Sequence, residues 1–305
     1  MEGTKRVIAL GFFDGVHIGH SALMERVLRI AKERGLTPSV LTFDAHPMSM
    51  VTGKAIPLIN SPEDRAGLIR RIFGIEDVIF IHFDELTMQM PWDEFVDHLV
   101  REWDAMHLVV GHDFRFGYRG EGTPEKLTAK CAELGLGCDV IPAVIYDGVI
   151  SSSTYIRRLI SEGAMEKANE YLGHPHVLTD MVRSGHRLGR TLGTPTINMI
   201  FAPGVLIPAF GVYATRVVLE NGAVYAGVTN VGTRPTVADT ASVTAETYIL
   251  DYSGNLYGHQ VRIEFLKHMR GEIKFSDVDH LKDQINRDAD GVRAYFREKE
   301  LVTAK

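Results

Sequence analysis

His17 and His20 stand three residues apart in GFFDGVHIGH, residues 11–20. Two imidazoles at that spacing can hold a metal or donate to phosphate oxygens. A zinc site wants a third ligand and often a nearby acid, and neither follows here. Phosphate is the better fit, because the pair precedes a helical pattern. The first N–H groups of a helix carry partial positive charge. On the pair alone, surface histidines remain an alternative. A second chemical stretch is GHRLGRTLGTPTIN, residues 185–198. On its glycines and arginines alone it reads more readily as an ordinary solvated loop than as a phosphate site. It lacks the Gly-Lys-Ser/Thr ending of a P-loop. Glu246, in AETYILDY, is a carboxylate on an otherwise apolar strand pattern. Pattern alone favours an exposed edge residue over a chemical group.

The elements around these residues change rhythm along the chain. In the first half, short apolar runs (RVIAL, PSVLTFD, DVIFIHFD, MHLVVG, CDVIPAV) alternate with helical patterns. SPEDRAGLIRRIFG has Ser61 as N-cap, Pro62 at the first helical position and Gly74 past the end. Five βα units in series predict a doubly wound α/β domain with a parallel sheet. That topology places His17 and His20 where a strand turns into a helix, the phosphate end of such a sheet. Two short helices are expected in SSSTYIRRLISEG and AMEKANEYLG. Strands then follow strands. Residues 211–232 read as a hairpin turning at Asn221-Gly222. Residues 245–266 read as a second hairpin, turning at 253–255. This predicts a small antiparallel β-barrel, followed by a C-terminal helix over 277–300 whose charges read as a solvated face. The expected domains are 1–175 and 176–305.

The 305 residues carry a net charge of −6, which argues against a nucleic-acid binder held by bulk charge. Two cysteines are too few for a disulfide framework. With no signal core and no membrane-length run, the expectation is a cytoplasmic protein without nucleic-acid or membrane partners, in which self-association stays open.

The motifs, taken in order, resemble the bacterial bifunctional riboflavin kinase/FAD synthetases. GFFDGVHIGH is similar to the HIGH-type nucleotidyltransferase signature of that family. TFDAHP (42–47), GHDFRFG (111–117) and SSTYIR (152–157) are similar to its further adenylyltransferase motifs. PTIN (195–198), GVYAT, GVTNVGTRPT and AETYILDY are similar to its riboflavin kinase motifs. Ala45 and His112 depart from the usual pattern.

The resemblance implies phosphorylation of riboflavin to FMN and adenylylation of FMN to FAD. ATP is the co-substrate and Mg²⁺ the metal. His17 and His20 would be catalytic, with Gly11, Phe13, Asp14, Gly15, Asp113, Ser153, Thr154 and Arg157 around the nucleotide. Arg115 and Phe116 would meet the flavin. In the second half, Gly185, Arg187, Gly189, Arg190, Gly193, Pro195, Thr196 and Asn198 would bind nucleotide. Thr196 and Asn198 would hold the metal, Glu246 would be the catalytic base, and Arg270 and Phe275 would border the flavin.

Overall fold

In the computed structural model, residues 4–183, 196–234 and 242–301 are described. The chain divides into two compact units, Met1–Ser153 and Thr154–Lys305.

The first unit is built on five parallel strands: β1 (Arg6–Leu10), β2 (Thr37–Phe43), β3 (Asp77–Ile81), β4 (Ala105–Gly111) and β5 (Gly137–Ile141). Their order is β3-β2-β1-β4-β5. The direction of winding therefore reverses between β1 and β4, and the crevice at their carboxyl ends is where such sheets take ligands. Covering helices are α1 (Ile18–Arg34), α2 (Pro47–Thr52), α3 (Pro62–Phe73), α4 (Glu85–Gln89), α5 (Trp92–Trp103) and α6 (Pro124–Glu133). The caps follow the expected chemistry. Ser61 accepts from Asp64 N, and Gly35 and Gly74 take left-handed φ at the ends of α1 and α3. The core of β1 is dry, with Val7, Ile8, Ala9 and Leu10 all at most 1% exposed. A two-stranded hairpin, β6 (Ile145–Tyr146) and β7 (Val149–Ile150), follows.

Ser153 opens α7 (Ser153–Ser161), and α8 (Met165–Leu172) succeeds it. α8 is tied to the antiparallel unit through Asn169, whose amide donates to Phe265 O and whose oxygen accepts from His176 N. The strands of this unit are β8 (His176–Met181), β9 (Thr196–Ile200), β10 (Gly211–Leu219), β11 (Val224–Arg234), β12 (Ser242–Ile249) and β13 (Gln260–Arg270). They run β8-β13-β10-β11-β12-β9. The two edges approach one another: Arg183 N donates to Asn198 O at 2.9 Å, and Ile200 N donates to Asp180 Oδ2 at 2.9 Å. The sheet is thus curled into a half-closed barrel. The first expected hairpin, β10–β11, is present, with Leu219 N on Ala223 O. The second is not. β12 pairs with β11 and β9, while β13 pairs with β10 and β8. Neighbours in sequence pair only about two-thirds of the time, and the segment between β12 and β13 is long enough to cross the barrel end.

The last element is α9 (Val278–Glu298). It buries Ala289, Val292 and Phe296 against Val212, Ala214, Ala226, Val228 and Leu266.

Candidate active sites

In the first unit the site grows out of the segment between β1 and α1. Its backbone is forced: Phe13, Gly15 and Val16 have φ of 53°, 82° and 45°. For a β-branched residue such as Val16 this conformation costs on the order of 1–3 kcal/mol, and such strain collects at functional sites. The surroundings hold it in place. A Cβ on Gly11 would sit 2.9 Å from the Phe13 ring. Asp14 is 1% exposed, and its Oδ1 accepts from Ile59 N at 2.9 Å. Thr42 Oγ1 donates to Phe12 O at 2.8 Å, and Ser153 Oγ donates to Asp14 O at 2.9 Å. The loop is thereby pinned to β2, to the segment before α3 and to Ser153.

His17 is the N-cap of α1, with Nδ1 accepting from Gly19 N at 3.1 Å. In the neutral ring this bond leaves the proton on Nε2. His20 stacks on His17, with centroids 3.6 Å apart and planes inclined by 22°. The Phe13 ring meets His20 edge-on at 5.2 Å. Burial holds the His20 pKa well below the usual imidazole range, and the His17 and Arg65 charges add to the effect. His20 is therefore an uncharged hydrogen-bonding group near neutral pH. Two stacked imidazoles at the start of a 17-residue helix are hydrogen-bonding groups of the kind that suits an anion.

Asp113 and Arg115 are exposed just beyond the end of β4, beside β1 at the switch point. Phe116 differs from the expectation of a flavin-facing ring. It is 7% exposed and packs into the core with Phe95, Val96 and Leu99, stacked on Phe114 at 5.2 Å. Thr154 and Arg157 follow Ser153 on α7, Thr154 exposed and Arg157 half-buried. Arg65 was invisible to sequence reasoning. It lies in a charged stretch, SPEDRAGL, yet it is 0% exposed beneath the loop.

In the second unit the ladder does the assembling. Glu246 on β12 stands directly opposite Asn198 on β9 and Asn230 on β11. Tyr248 stands opposite Thr196. Residues opposite one another, and those two apart along a strand, share a face. Thr196, Asn198, Asn230, Glu246 and Tyr248 therefore line one side of the sheet. Asn198 is buried, and Thr196, Asn230 and Glu246 are half-buried. The other side carries a chain of buried hydroxyls: Thr215 to Thr229 at 2.7 Å and Thr229 to Thr247 at 2.8 Å. Thr196 also lines a cavity of about 330 Å³ bounded by Val182, Ile249 and the crossing segment from Tyr252 to Tyr257.

Among the described residues no group of three or more His, Cys, Asp or Glu is placed to hold a metal. The available donors are a hydroxyl, amide oxygens and one carboxylate, a set that suits Mg²⁺ shared with phosphates. Arg270 is already engaged. Its Nε and Nη2 bind the two carboxylate oxygens of Asp288 at 3.0 and 2.7 Å, and Nη1 donates to Gly271 O. Phe275 is half-buried in the segment before α9. Gly185, Arg187, Gly189, Arg190, Gly193 and Pro195 lie outside the described residues.

Comparison with known proteins matches the two parts of the chain to two families. The family model for FAD synthetase matches residues 1–155, and that for riboflavin kinase matches residues 172–296. The bifunctional riboflavin kinase/FMN adenylyltransferase of Listeria monocytogenes is 34% identical, over 97% of this chain and 94% of its own. That of Bacillus subtilis is likewise 34% identical, with the same coverage. That of Escherichia coli K12 is 33% identical over 95% of this chain and 92% of its own. A crystal structure described as a macrolide-efflux protein from Streptococcus pneumoniae matches with a TM-score of 0.82 at 28% identity. It covers 96% of this chain and 95% of that one. Among the described residues no helix is long and apolar enough to cross a membrane.

Proposed function

The chain belongs to the bifunctional riboflavin kinase/FMN adenylyltransferase family, and from that premise we propose which of its residues carry each reaction. The enzyme phosphorylates riboflavin to FMN and adenylylates FMN to FAD, with ATP as co-substrate in both steps.

For the kinase step, Glu246 takes the proton from the ribityl 5′-hydroxyl as its oxygen attacks the γ-phosphorus and ADP leaves. Thr196 and Asn198 supply oxygens that would hold Mg²⁺ beside the phosphates. When bound, the ion offsets phosphate charge. The 184–195 segment, with its glycines and arginines, is assigned to the same nucleotide. The observation that carries this reading is the register Asn198–Glu246–Asn230, which sets the carboxylate between two amides on the face shared with Thr196.

For the adenylyl step, an FMN phosphate oxygen attacks the α-phosphorus of ATP, and the bond to the β-phosphate breaks to release pyrophosphate. His17 and His20 donate to the oxygens where charge grows, and the α1 N-terminus adds its dipole. Gly11, Phe13, Asp14 and Gly15 shape that loop. Ser153, Thr154 and Arg157 bind the phosphate tail, Asp113 the nucleoside, and Arg115 the FMN phosphate. Arg270 and Phe275 belong to the riboflavin side of the kinase site, Arg270 indirectly through its hold on Asp288. The cytoplasm is its place, since both cysteines, Cys131 and Cys138, are free thiols of the kind a reducing compartment keeps.

Incubation with riboflavin and Mg·ATP, followed by chromatography, should show FMN and then FAD. Omitting Mg²⁺ and adding a chelator should stop FMN formation. Undiminished FMN under chelation would remove the metal from the account.

A further inference from the structure

Arg65 is a buried charged group that the reactions above leave unused. It projects from α3 and is 0% exposed. A guanidinium so placed normally meets a carboxylate, because removing its charge from water is costly. Among the described residues no carboxylate forms an ion pair with it. Asp14, Asp44 and Glu63 act on it only at longer range, and burial brings its pKa down to about 10. It therefore stays charged. Nη1 is fully used, donating to Phe12 O at 2.8 Å, Thr42 Oγ1 at 3.0 Å and Phe43 O at 2.9 Å. These three acceptors lie just beyond β1 and at the end of β2. The guanidinium also lies over the Phe12 ring, 4.4 Å from its centroid. Nε and Nη2 are buried with no hydrogen-bond partner among the described residues, as is Nδ1 of His20.

A clamp on strand-end carbonyls needs donors but no net charge. A neutral side chain would serve that purpose without leaving two donors unsatisfied. The charge is intelligible if the compensating anion arrives with the substrate. At the C-terminal end of the sheet, under the histidine loop, that anion is phosphate.

We propose that Arg65 is a positioning residue of the adenylyl-transfer centre: an uncompensated buried cation that locks the floor of the loop and sets the charge felt by His20. It acts through the loop and through its field, without touching the reacting atoms. The charged groups acting on His20 are His17 from the loop and Arg65 from α3, and Asp14 acts in turn on Arg65. Both near neighbours oppose a proton on His20, so loss of the Arg65 charge makes His20 easier to protonate. The proposal rests on His17 and His20 being the adenylyl-transfer pair.

The test uses the full chain and measures FMN→FAD and riboflavin→FMN turnover against pH for wild type, Arg65→Met, Arg65→Lys and His20→Ala. Arg65→Met should lower kcat for FMN→FAD by about 10²-fold, the size of loss that slight misplacement of a catalytic group produces. Its KM for FMN should change far less. Its acid limb should move to higher pH by about half a unit or more, with riboflavin phosphorylation unchanged. Arg65→Lys should lose rate but keep the wild-type acid limb, since the charge remains.

A folded Arg65→Met enzyme with an unmoved acid limb would reduce Arg65 to a structural clamp and overturn the proposal. If circular dichroism shows that Arg65→Met does not fold, Arg65→Lys decides. Wild-type kcat, or an acid limb shifted as far as half a pH unit, contradicts the proposal, and reduced kcat on an unshifted limb supports it. Wild-type FMN→FAD turnover in His20→Ala would instead refute the site on which the proposal rests.

Discussion

Replacing Glu246 with Gln keeps the size of the side chain and removes the carboxylate that stands between Asn198 and Asn230 on the face they share with Thr196. Cross-strand geometry makes this a clean perturbation. Glu246 is opposite Asn198 on one side and Asn230 on the other, so an amide at 246 has polar neighbours on both flanks. Thr247, on the opposite face, keeps its bond to Thr229, and the sheet should stand. Loss of a general base costs about 10²–10⁴-fold, or about 3–5 kcal/mol in activation free energy. Glu246→Asp keeps the proton acceptor but retracts it by about 1 Å, a displacement worth up to about 10²-fold. The expected order of riboflavin→FMN rates is thus Glu, then Asp, then Gln. FMN→FAD should be the same in all three. Both half-reactions are followed by chromatography with ATP in excess, so that weakened nucleotide binding does not imitate lost chemistry. A Gln enzyme within about threefold of wild type, far inside the loss expected for a missing base, would make Glu246 an ordinary strand residue.

The buried hydroxyl chain predicts a stability effect without a catalytic one. Thr229→Val removes the oxygen that links Thr215 and Thr247 and strands the Thr247 hydroxyl, costing about 1–3 kcal/mol; calorimetry should show the antiparallel unit melting roughly 5 °C lower, and an unchanged melt would refute the linkage. His176 predicts the acid response. It is 1% exposed, both ring nitrogens lack hydrogen-bond partners among the described residues, and burial, with the His174 charge adding to it, pushes its pKa down to about 3 from 6.5. Between those values the unfolded chain binds a proton that the folded chain refuses. Its contribution is therefore fully present above 6.5 and is lost as pH falls toward 3, with a slope of up to about 1.4 kcal/mol per pH unit. Melts of the full chain at descending pH should show this loss, and His176→Phe should flatten it. An equally steep acid response in His176→Phe would put the titrating group elsewhere.

Much of the fold was readable because local signals agreed with the global pattern. Ser61, Pro62 and Gly74 delimit α3 as their chemistry requires, and Asn221-Gly222 turns the β10–β11 hairpin. His17 and His20 were legible because a buried strand and an amphipathic helix bracket them. What escaped has a common cause: sequence shows periodicity but not partners. β12 and β13 read as one hairpin because they are consecutive, yet β9 takes the free edge of β12 and thereby delivers Asn198 to Glu246. Phe116 alternates with Arg115 as a strand-end residue would, but its ring is needed by the α5 core. The resemblance sets Arg270 beside the flavin, while Asp288, eighteen residues on, takes its guanidinium. Arg65 sits among Glu63, Asp64 and Arg70, so nothing in composition marks it as buried. α2, α4 and the β6–β7 hairpin are too short for periodicity to register.

The central claim is that the stacked histidines serve only the adenylyl transfer, while the carboxylate–amide ladder of the other unit serves only the kinase. The most direct measurement is the product profile of the full-length His17→Ala/His20→Ala enzyme given riboflavin and Mg·ATP. The account predicts FMN formed at the wild-type rate and accumulating, with FAD suppressed. FAD appearing at the wild-type rate, or FMN formation failing together with it in a folded protein, would contradict it.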